Sequence, residues 1–255
     1  MRRIPAGSAA LHLVVPFIVS VVAQNGSPCS TPSFPYLAAN NTLRVLDRQH
    51  STTGMIVVAE NLAGGFRFLR CDHSLLGGRW FYPAGSDQPA VIDEPIFTTF
   101  ALQEAVRLAE RSTTRQSQRV LNMQVQLIFT YYYEFTSLDS SGLGIGVSVE
   151  SFIRHKMHTT VVEIDPVVYR FAKRYFGLSQ PSDVYIADAR EWVHNRVMSI
   201  AVGGAPNPPK IFDLVVHDCF SGDSVPQHIF TREFWADLQA IMEPDGVLAV
   251  VRAQC

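Results

Sequence analysis

The chain has 255 residues, of which 47% are apolar and 17% are charged, and this composition excludes a disordered or collagen-like protein. Its 21 Lys and Arg residues nearly balance its 23 Asp and Glu residues, so the charge gives no indication of a nucleic-acid partner. The length fits one large domain, or one medium-sized domain with a small appendage. The four cysteines have neither Cys-x-x-Cys spacing nor a histidine at zinc-finger spacing, so we predict no metal site.

The N-terminal region has the pattern of a targeting or membrane segment. Met1, Arg2 and Arg3 form a basic start, and residues 11–23 form an apolar run that ends in the small residues of a cleavage site. Residues 1–23 are therefore predicted to be a signal peptide or a membrane segment, and the second alternative implies membrane attachment through residues 11–23. The positive-inside rule places the remainder of the chain outside the cytosol.

Two segments with different composition follow. Residues 24–47 include a stretch rich in Ser, Pro and Asn, and they are predicted to be a linker. Residues 55–60 and 66–70 are β-type runs separated by Asn61-Leu62-Ala63-Gly64-Gly65, a pattern typical of a β-hairpin. We therefore predict a small β-hairpin domain over residues 48–85.

The rest of the chain, residues 86–255, alternates strand-like and helix-like segments. A doubly wound, mostly parallel sheet of the Rossmann type is the α/β fold that such alternation predicts. The predicted strands are residues 159–164, 184–187, 211–216 and 246–251, with helices beginning near 165, 189 and 229.

Glycines and acids in this region fall where a parallel sheet binds a nucleotide-like ligand. Gly142, Gly144 and Gly146 precede a helix, where they allow close approach of a ligand to the backbone. One acid follows or ends each of three successive strands, namely Glu163, Asp188 and Asp218. Because ligands of such sheets bind at the carboxyl edge, these residues predict a cofactor crevice.

Four segments carry a resemblance to a known family: GLGIG, VVEIDPVVYRFAKRYFGL, VYIADAREWV and FDLVVHDCFSGDSVPQHIFTREFWADLQAIMEPDGVLAVV. In order and spacing they resemble the polyamine aminopropyltransferases (spermidine and spermine synthases), including the divergent membrane-associated branch of fungi. The resemblance implies a small N-terminal β-domain followed by a methyltransferase-like Rossmann domain.

The resemblance also implies roles for individual residues. Decarboxylated S-adenosylmethionine would be the co-substrate, with its ribose on Glu163, its adenine beside Asp188 and its backbone contacts at the three glycines. Asp218 would be the catalytic acid that takes a proton from a small-molecule amine. Asp72 and Asp223 are predicted to be further substrate-binding acids.

Several departures from the family leave alternatives open. Ser221 stands where the family has a second acid, and Phe97-Thr98-Thr99 replaces residues that would hold a diamine. Residues 122–141 are predicted to be an atypical insertion, and the chain is predicted to be truncated after its last strand. The alternatives are an S-adenosylmethionine-dependent methyltransferase and a non-catalytic, membrane-tethered remnant.

The location and the oligomeric state are open in the same way. A membrane-associated or secretory location follows from the N-terminal segment, whereas the implied co-substrate favours a cytoplasmic catalytic domain. Members of the family commonly dimerise, so a homodimer is a further alternative.

Overall fold

The computed structural model describes eight segments: residues 34–37, 42–81, 92–96, 107–109, 118–124, 143–202, 212–219 and 226–250. All of them belong to one compact unit, Ser33–Cys255. The predicted signal or membrane segment at residues 1–23 lies outside these segments, as do Gly142 and Asp223. Within the described segments, no helix has the length and apolar character needed to span a membrane.

The N-terminal part is a six-stranded antiparallel sheet whose strands lie in chain order. Its strands are β1 (Tyr36–Leu37), β2 (Leu43–Ser51), β3 (Gly54–Asn61), β4 (Phe66–Cys71), β5 (Ser74–Phe81) and β6 (Ile92–Pro95). The hairpin predicted from residues 55–70 is confirmed as β3 and β4, which pair from Asn61 with Phe66 to Ile56 with Cys71.

This sheet is larger than the predicted hairpin domain at residues 48–85. β1 and half of β2 lie in the predicted linker at residues 24–47, and β6 lies in the range assigned to the Rossmann domain. β2 pairs with β3 along its whole length and β6 pairs with β5. The strands of the predicted domain therefore form backbone hydrogen bonds with β2 and β6, which extend outside the predicted range. The local composition of β2 and β6 does not indicate that they are strands of this sheet.

The second part is a five-stranded parallel sheet with the order β11-β10-β7-β8-β9. Its strands are β7 (Arg119–Gln124), β8 (His158–Glu163), β9 (Asp183–Ile186), β10 (Phe212–His217) and β11 (Met242–Val250), and its helices are α1 (Val147–Arg154), α2 (Pro166–Phe176), α3 (Ala189–Val202) and α4 (Arg232–Ile241). The chain runs from β7 outward to β9 and then returns to place β10 on the other side of β7. This reversal is the topological switch point of a doubly wound fold, so the predicted Rossmann-like α/β class is confirmed.

β7 corrects the start of the predicted insertion at residues 122–141. Asn122 to Gln124 are the last residues of β7, and the strand pairs with β8 and β10 on its two sides. In the sequence, Asn122 interrupts the apolar run of this strand. Asn122 is nevertheless fully buried, and its Nδ2 donates to Ser148 Oγ of α1 (2.9 Å).

One apolar cluster joins the two sheets through α2. Phe171 and Phe176 of α2 belong to the same buried cluster as Ile56 and Leu69 of the N-terminal sheet. A second cluster packs α3 and α4 against the other face of the parallel sheet. α2 is thus buried between both sheets, and its position depends on both.

Candidate cofactor and catalytic site

Three of the predicted acids lie in a row at the carboxyl edge of the parallel sheet. Glu163 ends β8, Asp188 follows β9 and Asp218 follows β10. The backbone N–H of Asp218 lies 3.4 Å from the carbonyl oxygen of Met123 near the end of β7, and Gln124 of β7 pairs with Glu163. Neighbouring strands lie about 4.8 Å apart, and β7 lies between β10 and β8. The backbones of Asp218 and Glu163 are therefore separated by about 10 Å, and the strand before Asp188 lies about 5 Å beyond that of Glu163.

Glu163 is a buried carboxyl group in an unfavourable environment for a charge. It is 2% exposed, and its Oε1 accepts a hydrogen bond from the backbone N–H of Asp165 (2.8 Å). Burial, which outweighs this hydrogen bond, raises the pKa of Glu163 to about 8, and the nearby carboxylate of Asp165 adds to the increase. Such a group is stabilised in its charged form when hydroxyl donors reach it, and a ribose diol presents two of them.

Asp165, two residues further on, has a carboxylate surrounded by donors. It caps α2 by accepting from the backbone N–H groups of Val167 (2.8 Å) and Val168 (3.2 Å). The same carboxylate accepts from Ser51 Oγ (2.6 Å), Thr53 Oγ1 (2.5 Å) and the Thr53 backbone N–H (3.1 Å) in the turn between β2 and β3. Burial alone would raise the pKa of Asp165, but these hydrogen bonds hold it below its ordinary value.

Asp188 is held by a residue far away in the sequence. Its Oδ1 accepts from the backbone N–H of Glu191 at the start of α3 (3.0 Å), and its Oδ2 lies 2.9 Å from Nε2 of His228. His228 lies in a short 3-10 helix, Gln227–Ile229, and its carbonyl oxygen accepts from Arg190 Nη1 (3.2 Å). These contacts fix the short 3-10 helix beside Asp188, at one end of the row.

Asp218 lies in a fully buried position beside a neutral histidine. Burial lowers the pKa of the neighbouring His217 to about 4, although nearby backbone groups oppose the change. The His217 ring lies against the aromatic rings of Phe230 (4.8 Å between centroids), Trp235 (5.0 Å) and Phe234 (5.6 Å). This packing fixes the end of β10 on α4, and His217 adds no positive charge next to Asp218 near pH 7.

The described part of the glycine loop is buried and has left-handed backbone conformations. Gly144 has φ 51° and Gly146, which caps α1, has φ 83°. A Cβ on Gly146 would lie 2.7 Å from Leu178 Cδ1, so a side chain there would be strained by the backbone conformation and would force Leu178 to shift. The structure thus gives Gly146 a packing role, and its predicted contact with a ligand stays a prediction.

Asp72 lies in the turn between β4 and β5, next to the start of β3. Its Oδ1 accepts from the backbone N–H of Met55 (3.1 Å) and its own φ is 45°. These features give it a structural role in the turn, and its binding of substrate stays a prediction. Within the described segments, no group of three His, Cys, Asp or Glu side chains could hold a metal ion.

Sequence reasoning missed Ser51, Thr53 and His228 as contributors to this region. Their contacts with Asp165 and Asp188 bridge 114, 112 and 40 positions in the sequence. A serine, a threonine and a histidine without a recognisable motif give no local signal of such partners, so only the tertiary structure could identify them.

Similarity to known proteins agrees with the fold. The chain is 38% identical over 246 residues to an N-terminal histidine N-methyltransferase of Emericella nidulans, a match that covers 95% of this chain and 40% of that protein. It is 34% identical over 113 residues to a polyamine aminopropyltransferase of Vibrio vulnificus, a match that covers 42% of this chain and 34% of that protein. The chain thus spans well under half the length of either relative.

A solved structure shares the fold at low sequence identity. A probable spermidine synthase from Corynebacterium glutamicum superposes with a TM-score of 0.52 and 16% identity, over 85% of this chain and 63% of that one. The fold defines a Rossmann-like α/β protein with a small N-terminal antiparallel sheet and a row of acids at the carboxyl edge of its parallel sheet. Residues 141–255 match the spermine/spermidine synthase domain. This match confirms, over these residues, the resemblance to the spermidine and spermine synthases that the sequence carries.

Proposed function

We propose that this chain is the catalytic part of an S-adenosylmethionine-dependent N-methyltransferase whose acceptor is a nitrogen of an N-terminal histidine. The observation that carries the proposal is the extent of the similarity. The match to the histidine N-methyltransferase covers 95% of the chain and therefore includes the N-terminal sheet, whereas the match to the aminopropyltransferase covers 42%. The similarity to the methyltransferase thus extends to the part of the chain outside the cofactor sheet.

The order of the acids fits the order of groups in S-adenosylmethionine. Asp188 lies at one end of the row, where its carboxylate can accept from the adenine amino group. Glu163 lies in the middle, where its carboxyl group can hold the ribose hydroxyls. Asp218 lies at the other end, where the sulfonium would be placed.

The acceptor nitrogen needs a proton acceptor rather than a metal or a nucleophile from the protein. S-adenosylmethionine supplies an electrophilic methyl carbon, which the nitrogen lone pair attacks while the carbon–sulfur bond breaks and its electron pair stays on sulfur. Asp218 accepts the proton that the nitrogen then loses.

Aminopropyl transfer is the second candidate, and the domain match to spermine/spermidine synthases favours it. The same row of acids would hold decarboxylated S-adenosylmethionine, and Asp218 would take the proton from a polyamine such as spermidine. The two candidates differ in the group transferred and in the acceptor.

Product analysis by mass spectrometry with the full chain distinguishes these candidates. We would incubate the chain with S-adenosylmethionine and a peptide that begins with histidine, and in parallel with decarboxylated S-adenosylmethionine and spermidine. We expect one added methyl group on the first peptide, and none on a matched peptide with an acetylated N-terminus and no other histidine. Asp218→Asn should lower kcat by at least about 100-fold and change cofactor affinity by less than about twofold.

Two outcomes would contradict the proposal. An aminopropyl adduct on spermidine without any methylated peptide would replace it with the second candidate. Methylation of the acetylated peptide at the same rate would show that a free N-terminal histidine is not the acceptor.

A further inference from the structure

The turn between β2 and β3 is joined to the cofactor edge by an unusually dense group of hydrogen bonds. Ser51 and Thr53 together direct three donors at the carboxylate of Asp165, at distances of 2.5 to 3.1 Å. Asp165 is fully buried and Thr53 is 3% exposed, so water does not replace these bonds. The N-terminal sheet therefore fixes the orientation of Asp165.

Asp165 is in turn a direct partner of Glu163. Its backbone N–H donates to Glu163 Oε1 (2.8 Å), and the two side chains are close enough for the Asp165 carboxylate to raise the pKa of Glu163. A rotation of the Asp165 peptide would move the donor away from Glu163 and leave a buried carboxyl group with one partner fewer. The position of Glu163 thus depends on groups from the other sheet.

A third side chain, that of Cys71, also holds the turn between β2 and β3 in place. The Cys71 thiol donates to the carbonyl oxygen of Thr53 (3.1 Å) and is buried at the end of β4. Burial raises the pKa of Cys71 to about 11, so the thiol remains protonated and able to donate. The backbone of Thr53 is therefore held both by Asp165 and by Cys71.

We infer that Thr53 and Ser51 are positioning residues of the cofactor site, which act through Asp165 to hold Glu163 in the orientation that binds the ribose. This inference rests on the proposed function, because it assigns the ribose of an S-adenosylmethionine-type ligand to Glu163. It makes the N-terminal sheet a part of the cofactor site without direct contact with the ligand.

The chain offers a matched control on the same helix. Tyr175 Oη, near the C-terminal end of α2, donates to Asp47 Oδ2 of β2 (2.7 Å). This bond also joins α2 to the N-terminal sheet, but at the end of the helix away from Glu163. Its loss should affect packing between the sheets without affecting the ribose site.

The test compares the affinity of the full chain for S-adenosylhomocysteine by calorimetric titration, well below the unfolding temperature of each variant. The double variant Ser51→Ala with Thr53→Val removes both hydroxyl donors and keeps the Thr53 backbone N–H, and we expect it to bind about tenfold more weakly. Thr53→Ser retains the hydroxyl and should bind like the unmodified chain, and Tyr175→Phe should change the affinity by less than about twofold.

Amide hydrogen exchange provides a second readout that needs no variant. The Thr53 amide donates to Asp165 Oδ2, so saturating S-adenosylhomocysteine should slow its exchange. Unchanged exchange of this amide would overturn the inference, as would equal affinity of the double variant and the unmodified chain. If the unmodified chain binds no S-adenosylhomocysteine, the proposed function is overturned together with the inference. If the unmodified chain binds it and the double variant binds it equally well, only the inference is overturned.

Discussion

At the scale of single residues, burial of Glu163 makes the stability of the folded chain depend on pH. Its pKa of about 8 in the folded chain lies far above the ordinary value of 4.5 because the side chain is buried. The folded state therefore binds more protons than the unfolded state. The contribution of Glu163 to stability is fully present below pH about 4.5 and is lost as the pH rises through about 8.

Replacement of Glu163 by Gln should separate stability from binding. Gln does not titrate, so the variant lacks the loss of stability that the unmodified chain shows as the pH rises. The unfolding temperature of Glu163→Gln minus that of the unmodified chain should therefore increase by several degrees between pH about 5 and about 9. The same variant should lose most of its affinity for S-adenosylhomocysteine. Differential scanning calorimetry across this pH range measures the first effect, and an unfolding-temperature difference that does not vary with pH would contradict the raised pKa.

The affinity for the cofactor should itself depend on pH through Glu163. Ribose hydroxyls donate to the ionised carboxylate, so binding should release a proton at a pH below about 8. The affinity of the unmodified chain should increase by up to about tenfold per pH unit until pH about 8 and then level off. Calorimetric titrations in buffers of different ionisation enthalpy would detect the proton, and zero release at pH about 6 would contradict this expectation.

At the scale of elements, α2 and α1 show how local signals set the ends of helices. α2 begins at Pro166 after the capping Asp165 and ends before Gly177, which has φ 68°. These residues are typical capping signals and predicted the helix from sequence. α1 begins at Val147 after Gly146, whose left-handed conformation and close neighbour Leu178 both disfavour a side chain.

The two glycines should respond differently to the same substitution. A Cβ on Gly177 meets no atom within 4 Å, so Gly177→Ala should cost about 1 kcal/mol of unfolding free energy through backbone strain alone. Gly146→Ala adds the collision with Leu178 and should cost about 2–4 kcal/mol. Urea denaturation measures both values, and equal losses would show that the loop before α1 moves freely away from Leu178.

At the scale of the whole molecule, the described unit depends on contacts between its two sheets. Phe171 of α2 is 1% exposed and shares a cluster with Ile56 and Leu69 of the N-terminal sheet. The Asp165 hydrogen bonds join the same two parts. Because neither sheet has a separate core on this side, we expect the two to unfold together.

Tryptophan positions allow a direct test of joint unfolding. Trp80 lies in β5, whereas Trp192 and Trp235 lie in α3 and α4. In urea, the fluorescence transition of a Trp80→Phe variant should coincide with that of a variant that retains Trp80 alone. Phe171→Ala should shift both transitions by an equivalent of about 3–5 kcal/mol, and two separate midpoints would contradict a shared core.

The sequence by itself determined the features that depend on neighbours along the chain. The hairpin at residues 55–70, the strand that ends in Glu163 and the caps of α2 follow from turn residues, apolar runs and capping residues a few positions apart. The alternation of strands and helices also determined that the strand ends meet at one edge, which placed Glu163, Asp188 and Asp218 in one row.

Only the tertiary structure decided the features that depend on distant partners. Asn122 interrupts an apolar run, so its place in β7 became visible only through the pairing with β8 and β10. β2 and β6 required a partner strand, and the contacts of Asp165 with Ser51 and Thr53 required the two sheets to be packed together. The physical reason is the same in each case: a hydrogen-bond partner on another element leaves no periodicity in the local sequence, and for Ser51 and Asp165 that partner is 114 positions away.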